Sequence, residues 1–155
     1  MERPPNLAAA IDAAAEALVG VLDSAASRHQ MAVSPTQLRV LSLISSRPET
    51  NVNGLAELLD VVPSSASRLC DRLEATGLLR RVADPRDRRE VRLVPTAAAE
   101  TLLRELKERR QRAVQAVLDR MPGRAQHDLL LALRAFEQAA TAATAEQSDS
   151  SVRTA

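Results

Sequence analysis

Apolar residues recur at steps of three and four along Leu7, Ile11, Ala14, Leu18, Val21 or Leu22, and Ala25. This is the period of an amphipathic helix, framed by Pro4-Pro5 before it and a break after Arg28. Ser34-Pro35-Thr36-Gln37 then reads as a start signal, with Ser34 as N-cap, Pro35 at the first helical position and Gln37 placed to complete a capping box. The helix it opens carries Leu38, Leu41 and Ile44 and stops near Arg47-Pro48. A short helix is predicted over Asn53 to Leu59, and Asp60-Val61-Val62-Pro63 forces a turn, because proline restricts the residue before it. A second helix follows at once from Pro63 to Thr76, with Gly77 as a left-handed cap. Its buried stripe is Ala66, Leu69, Cys70 and Leu73, and its opposite face is Ser64, Ser65, Arg68, Asp71 and Arg72.

The period then changes. Leu78 to Val82 and Val91 to Val94 are short, apolar and rich in β-branched residues, and the charged stretch "DPRDRRE" (84–90) separates them, which predicts a hairpin with a polar tip. Pro95 launches a long helix with an apolar face of Leu102, Leu106, Ala113, Val117 and Met121 and a charged side from Arg104 to Arg112. Met121-Pro122-Gly123 breaks it. A last helix carries Leu129, Leu130, Leu133, Phe136 and Ala140, and the polar tail 146–155 is expected to be disordered. The fold class that emerges is mainly α with one small β-hairpin, in a single domain of 155 residues without internal repeats.

Composition narrows the chemistry. Phe136 is the one aromatic among Phe, Tyr and Trp, so stacking on bases or in aromatic cages cannot be the main mode of recognition, and any small-molecule cavity should be lined by aliphatic groups with one or two arginines. No apolar run is long enough to cross a bilayer and no basic segment leads into an apolar one at the N-terminus, so the expectation is a cytoplasmic protein without membrane partners. The lone Cys70 on a buried stripe reads as structural filler, and with only His29 and His127 beside it there is no zinc signature; neither metal nor cofactor is expected. Catalytic signatures such as G-x-S-x-G, H-E-x-x-H or a glycine-rich phosphate loop are missing, so the chain does not read as an enzyme.

The formal net charge is +1, but the span from Pro63 to Pro95 holds eight arginines against five carboxylates. A local basic footprint on two short helices and a hairpin describes a winged helix-turn-helix. Ser64 and Ser65, with the free amides of the first helical turn, can donate to phosphates where the helix dipole is positive, and Ser67 extends this small hydroxyl surface. Arg68, one turn on, is long enough to reach base edges, while Arg72 suits phosphate. Arg86 at the hairpin tip can enter the minor groove, with Arg88 and Arg89 beside it and Asp84 and Asp87 bracing the neighbouring arginines.

The segments "SPTQLRVL", "LAELLDVVPSSASRLCDRLEATGLLRR" and "DPRDRREVRL" resemble the winged helix-turn-helix of the MarR family of bacterial transcription regulators. The last of them is similar to that family's D-x-R-D-x-R wing motif, as Asp84-x-Arg86-Asp87-x-Arg89. The resemblance covers nearly the whole chain. It implies a winged lobe over 34–97 and dimerisation helices over 7–30 and 98–145, which interdigitate in a homodimer on a pseudo-palindromic duplex, with half-sites roughly 34 Å apart or a multiple of that. It also implies a repressor released by a small anionic effector, for which His29, Arg39 and His127 are the candidate pocket residues. Val62 departs from the family pattern, standing where a Ser, Asp or Thr usually caps the recognition helix, at a typical cost of about 1 kcal/mol. Val94 and Ala97 replace the usual Thr and Gly at the start of the following helix. The rival reading is a protein-interaction module that keeps the fold without binding DNA.

Overall fold

The computed structural model describes residues 6–27, 33–86 and 90–152. Six helices and two strands follow in the order α1 (Leu7–Ser27), α2 (Pro35–Ser46), α3 (Val52–Leu59), α4 (Pro63–Ala75), β1 (Leu79–Ala83), β2 (Val91–Pro95), α5 (Ala97–Leu118) and α6 (Gly123–Val152). The chain divides into two compact units, residues 1–113 and 114–155, with the boundary inside α5.

Local sequence explains how the elements of the first unit begin and end. The capping box of α2 is complete: the Gln37 amide donates to Ser34 Oγ at 3.2 Å, and the Ser34 amide donates to Gln37 Oε1 at 2.8 Å. Asn51 caps α3, accepting from the Gly54 amide at 2.8 Å, so this helix starts at Val52, one residue before the predicted Asn53. Asp60 closes α3 in the left-handed region at φ 53°, a conformation that aspartate tolerates better than most residues. Gly77 ends the α4 segment at φ 73°, as its position after an amphipathic run predicts. The strands pair antiparallel from Leu79↔Pro95 to Ala83↔Val91. Pro95 is therefore the last residue of β2 and does not start the next helix. Thr96 does so instead: its hydroxyl accepts from the Ala99 amide at 3.3 Å and donates to the Gly77 carbonyl at 2.7 Å. With Thr96 in this role, the substitutions at Val94 and Ala97 leave the helix start capped.

One core holds α2, α3, α4, the hairpin and the start of α5. Val40, Leu41, Ile44, Leu55, Ala66, Cys70, Leu73, Leu93 and Ala99 are all fully buried. Val40 joins the predicted Leu41 and Ile44 because α2 is covered on a wider face than one stripe. Leu38 is only half-buried. Thr50, in the turn between α2 and α3, is the buried polar residue of this region; its hydroxyl donates to the Arg47 carbonyl at 2.7 Å and its own carbonyl accepts from the Leu93 amide at 2.9 Å. That second bond ties the turn to the middle of β2.

In the second unit the end of α5 and the start of α6 are stitched by Gln126, whose amide nitrogen donates to the carbonyls of Leu118 at 2.9 Å and Met121 at 3.0 Å. These are orphan carbonyls of a helix C-terminus, and Gln126 supplies the donors they lack. The helix continues through Val152, so most of the tail expected to be disordered from residue 146 is helical. Residues 137–147, "EQAATAATAEQ", lead into it: the alanine-rich run has high helix propensity and no breaker, so the helix carries on into the polar residues beyond. Leu129, Leu130, Leu131, Leu133 and Phe136 of α6 are exposed, as are Leu7, Ile11 and Val19 of α1.

Candidate nucleic-acid interface

The α3–α4 turn and the hairpin bring the candidate residues together. On α4 the core takes Ala66, Cys70 and Leu73. At about 100° per residue, Ser64, Arg68 and Arg72 then fall on the far side, and all three are exposed. Ser65 is half-buried at the margin of this face. Ser67 is half-buried on the flank toward the hairpin, with its carbonyl 3.4 Å from Arg81 Nη2, so its place differs from that of the other two serines.

The first turn of α4 lacks a side-chain cap. Val62 is the N-cap residue, with extended backbone and no hydroxyl or carboxylate to offer. The Ser65 and Ala66 amides both reach the Val62 carbonyl, at 2.9 and 3.2 Å, and Pro63 has no N–H. The Ser64 amide has no acceptor among the described residues. An anion arriving here meets a donor and the positive end of the helix dipole.

The wing is braced at its root. Asp84 extends the ladder, its amide donating to the Glu90 carbonyl at 2.9 Å, and its carboxylate serves two arginines. Oδ1 accepts from the Arg86 backbone amide at 2.7 Å, which turns the chain at the tip. Oδ2 lies 3.2 Å from Arg92 Nε in an ion pair with both side chains largely covered; the angle is not that of a hydrogen bond, so the contact is mainly electrostatic. The Arg86 guanidinium is exposed and meets Glu49, in the turn between α2 and α3, at 2.8 Å. Asp87, Arg88 and Arg89 lie outside the described residues.

Sequence reasoning missed one further group. Arg81 of β1 reaches across to α4, where Nη1 pairs with Glu74 and Nη2 with Asp71 at 2.7 Å. The backbone amide of Arg81 also lies 3.4 Å from Glu74 Oε1. The hydrogen bond it donates to Asp71 and, behind it, that to Glu74 hold the guanidinium above its ordinary pKa against the opposing effect of burial. A signal was present, since Asp71 and Glu74 stand three apart and so share one helix flank. In contrast, burial pushes the Cys70 thiol upward more strongly than Arg81 lowers it, which keeps it protonated and unreactive at neutral pH.

Of the candidate effector residues, Arg39 on α2 and His127 on α6 are exposed, and His29 lies outside the described residues. A shallow depression of about 690 Å³ is lined, among the described residues, by Arg47, Pro48, Glu49, Thr50, Asn51, Gly54, Glu57 and Leu58, and includes neither Arg39 nor His127. Among the described residues no cluster of His, Cys, Asp and Glu could hold a metal ion, and no helix is long and apolar enough to cross a membrane.

This arrangement has counterparts. The family model described as "MarR family" matches residues 33–91. The transcriptional repressor MdtR of Bacillus subtilis is 34% identical over 67 residues, which are 43% of this chain and 43% of that protein. The chain matches about half the length of its sequence relatives. The crystal structure of RV1404 from Mycobacterium tuberculosis superposes with a TM-score of 0.78 at 27% identity, covering 91% of this chain and 97% of that one. A MarR family protein from Bacillus stearothermophilus shares the fold with a TM-score of 0.74 at 24% identity, over 88% and 94% of the two chains. The helix-turn-helix and wing thus lie at the residues that match the MarR family model, and the fold is shared with these solved structures along almost the whole length of the chain.

Proposed function

We propose that this protein is a double-stranded DNA-binding transcription repressor that acts as a homodimer in the cytoplasm. The observation that carries the reading is the exposed set of Ser64, Arg68 and Arg72 on α4 beside a hairpin whose tip presents Arg86. Helix α4 enters the major groove, with the Ser64 amide and hydroxyl on phosphate, Arg68 toward base edges and Arg72 on the backbone. Arg86 leaves Glu49 and enters the adjacent minor groove, accompanied by Arg88 and Arg89, while Asp84, with Asp87, keeps the tip in shape.

Dimerisation is supported by the apolar residues that α1 and α6 leave in solvent, including Ile11, Val19, Leu131 and Phe136. A second copy would cover them, and twofold symmetry then sets half-sites about 34 Å apart or a multiple of that. Release by a small anionic effector rests on family resemblance alone, with Arg39, His29 and His127 as the residues to substitute first.

Selection of bound sequences from a random duplex library identifies the operator, and anisotropy titrations with the selected duplex test the wing. Arg86→Ala should weaken binding at least tenfold and lower the magnitude of the log-log salt slope by about 0.9 per lost phosphate contact. Wild-type protein that ignores duplex at low salt would leave the interaction-module reading in its place.

A further inference from the structure

Helix α4 carries its own inhibitors. Asp71 stands three residues from Arg68, within side-chain reach on a helix, and Glu74 adds a second negative charge one turn further on. A carboxylate paired with Arg68 would cancel the charge meant for DNA, and two unpaired carboxylates would repel the phosphates approaching that helix. Neither happens here. Asp71 and Glu74 are both taken by Arg81, one on each Nη, and neither the Arg68 nor the Arg72 side chain forms an ion pair or hydrogen bond among the described residues.

We propose that Arg81 is a positioning residue for DNA binding, sequestering the two carboxylates of the recognition helix so that Arg68 and Arg72 stay available to the duplex. The inference rests on the DNA-binding reading above and adds a residue that touches no DNA. The geometry suits this role, because a planar guanidinium offers two donor edges at fixed separation. One side chain from β1 thus engages both acids, which a lysine ammonium would serve less well. Its third contact, from Nη2 to the Ser67 carbonyl, orients the fork on the helix flank.

Rescue separates this role from simple bracing. Four proteins are compared: wild type, Arg81→Met, the pair Asp71→Asn with Glu74→Gln, and the triple variant that combines all three changes. Circular dichroism and thermal midpoints establish that each folds. Binding is read twice, by anisotropy on the selected duplex and by the salt concentration that elutes each protein from heparin. Arg81→Met should bind duplex about tenfold more weakly, with a salt slope smaller in magnitude by about 0.9, as Arg68 turns to Asp71. It should also leave heparin at lower salt. The triple variant should recover most of both losses, because nothing remains to be sequestered. A triple variant as weak as Arg81→Met on heparin would overturn the proposal, since loss of the brace would then explain everything. So would an Arg81→Met protein that elutes with the wild type. Should Arg81→Met fail to fold, Arg81→Lys takes its place and should elute between wild type and the expected position of Arg81→Met; coelution with wild type counts against the proposal. If wild type ignores duplex while the heparin order holds, the DNA reading fails and the sequestration stands.

Discussion

Val62 offers a test in which stability and binding part company. It begins the recognition helix without capping it, and the Ser64 amide is left without an acceptor among the described residues. Its backbone, at φ −69° and ψ 148°, is already that of an N-cap, so Val62→Ser places a hydroxyl where it accepts from the first turn without strain. A cap is worth about 1 kcal/mol. Against it stands the apolar surface lost: Val62 is 62% exposed, so little more than a third of its side chain is covered, worth about 0.6 kcal/mol on a full-burial scale of about 1.5. The net expectation for Val62→Ser is a gain near 0.5 kcal/mol. Val62→Asp adds the attraction of a carboxylate for the helix N-terminus, about 0.5 kcal/mol more. Urea denaturation at fixed protein concentration measures both, and thermal midpoints should rise by roughly 1 to 4 °C. Duplex binding should move otherwise. Val62→Ser occupies the Ser64 amide proposed for phosphate and should bind slightly more weakly than wild type, whereas Val62→Asp also places a negative charge where a phosphate should sit and should bind several-fold more weakly. If Val62→Ser loses more than about 0.5 kcal/mol, the amide is already satisfied or the valine covers more than its exposure indicates, and the capping argument fails.

Substitutions at three other residues probe separate features. Asp60→Gly removes a side chain from a left-handed position and should stabilise the protein by about 0.5 kcal/mol in urea titrations; a loss would mean that the carboxylate itself holds the α3–α4 turn. Asp84→Asn keeps an acceptor for the Arg86 amide but loses the charge opposite Arg92, at about 1 kcal/mol, and Asp84→Ala should cost about 1 kcal/mol more; equal losses would mean that the tip turn does not depend on Oδ1. Cys70 has a folded pKa above its unfolded value, so the stability it contributes is fully present below about pH 8.5 and is lost as pH rises through the folded value. Wild type should therefore weaken more steeply than Cys70→Ala above that pH, and parallel curves would refute the assignment.

Much of the fold was legible because its signals are local. Ser34, Gln37 and Gly77 announce their structures within four residues, and the stripe of Ala66, Cys70 and Leu73 needs nothing but the helical period. Boundaries slipped where a tertiary partner decides them: Pro95 reads as a helix start, yet pairing with Leu79 draws it into β2. Helix α6 runs on past residue 146, where a disordered polar tail is expected from composition, because low hydrophobicity and low helix propensity are different properties. At the site, the outward residues of α4 followed from its period, since knowing the buried face fixes the other. The partners of those residues did not. Asp84 was expected to brace arginines, but its companion, Arg92, lies across the strand pair, and Glu49, which meets Arg86, is distant in sequence. Arg81 was counted only as one charge among eight, because its effect depends on which way β1 faces.

The bond between the Thr50 carbonyl and the Leu93 amide makes the hairpin more than an appendage. With Arg81 on one side and Thr96 gripping Gly77 at the base, the ribbon is moored at three separate points. It cannot swing without carrying the helices with it, so the two surfaces proposed to read DNA travel as a single head. If the protein binds operators as proposed, adaptation to different spacings would fall to segments beyond residues 34–96, and substitutions altering operator choice without loss of affinity should collect there.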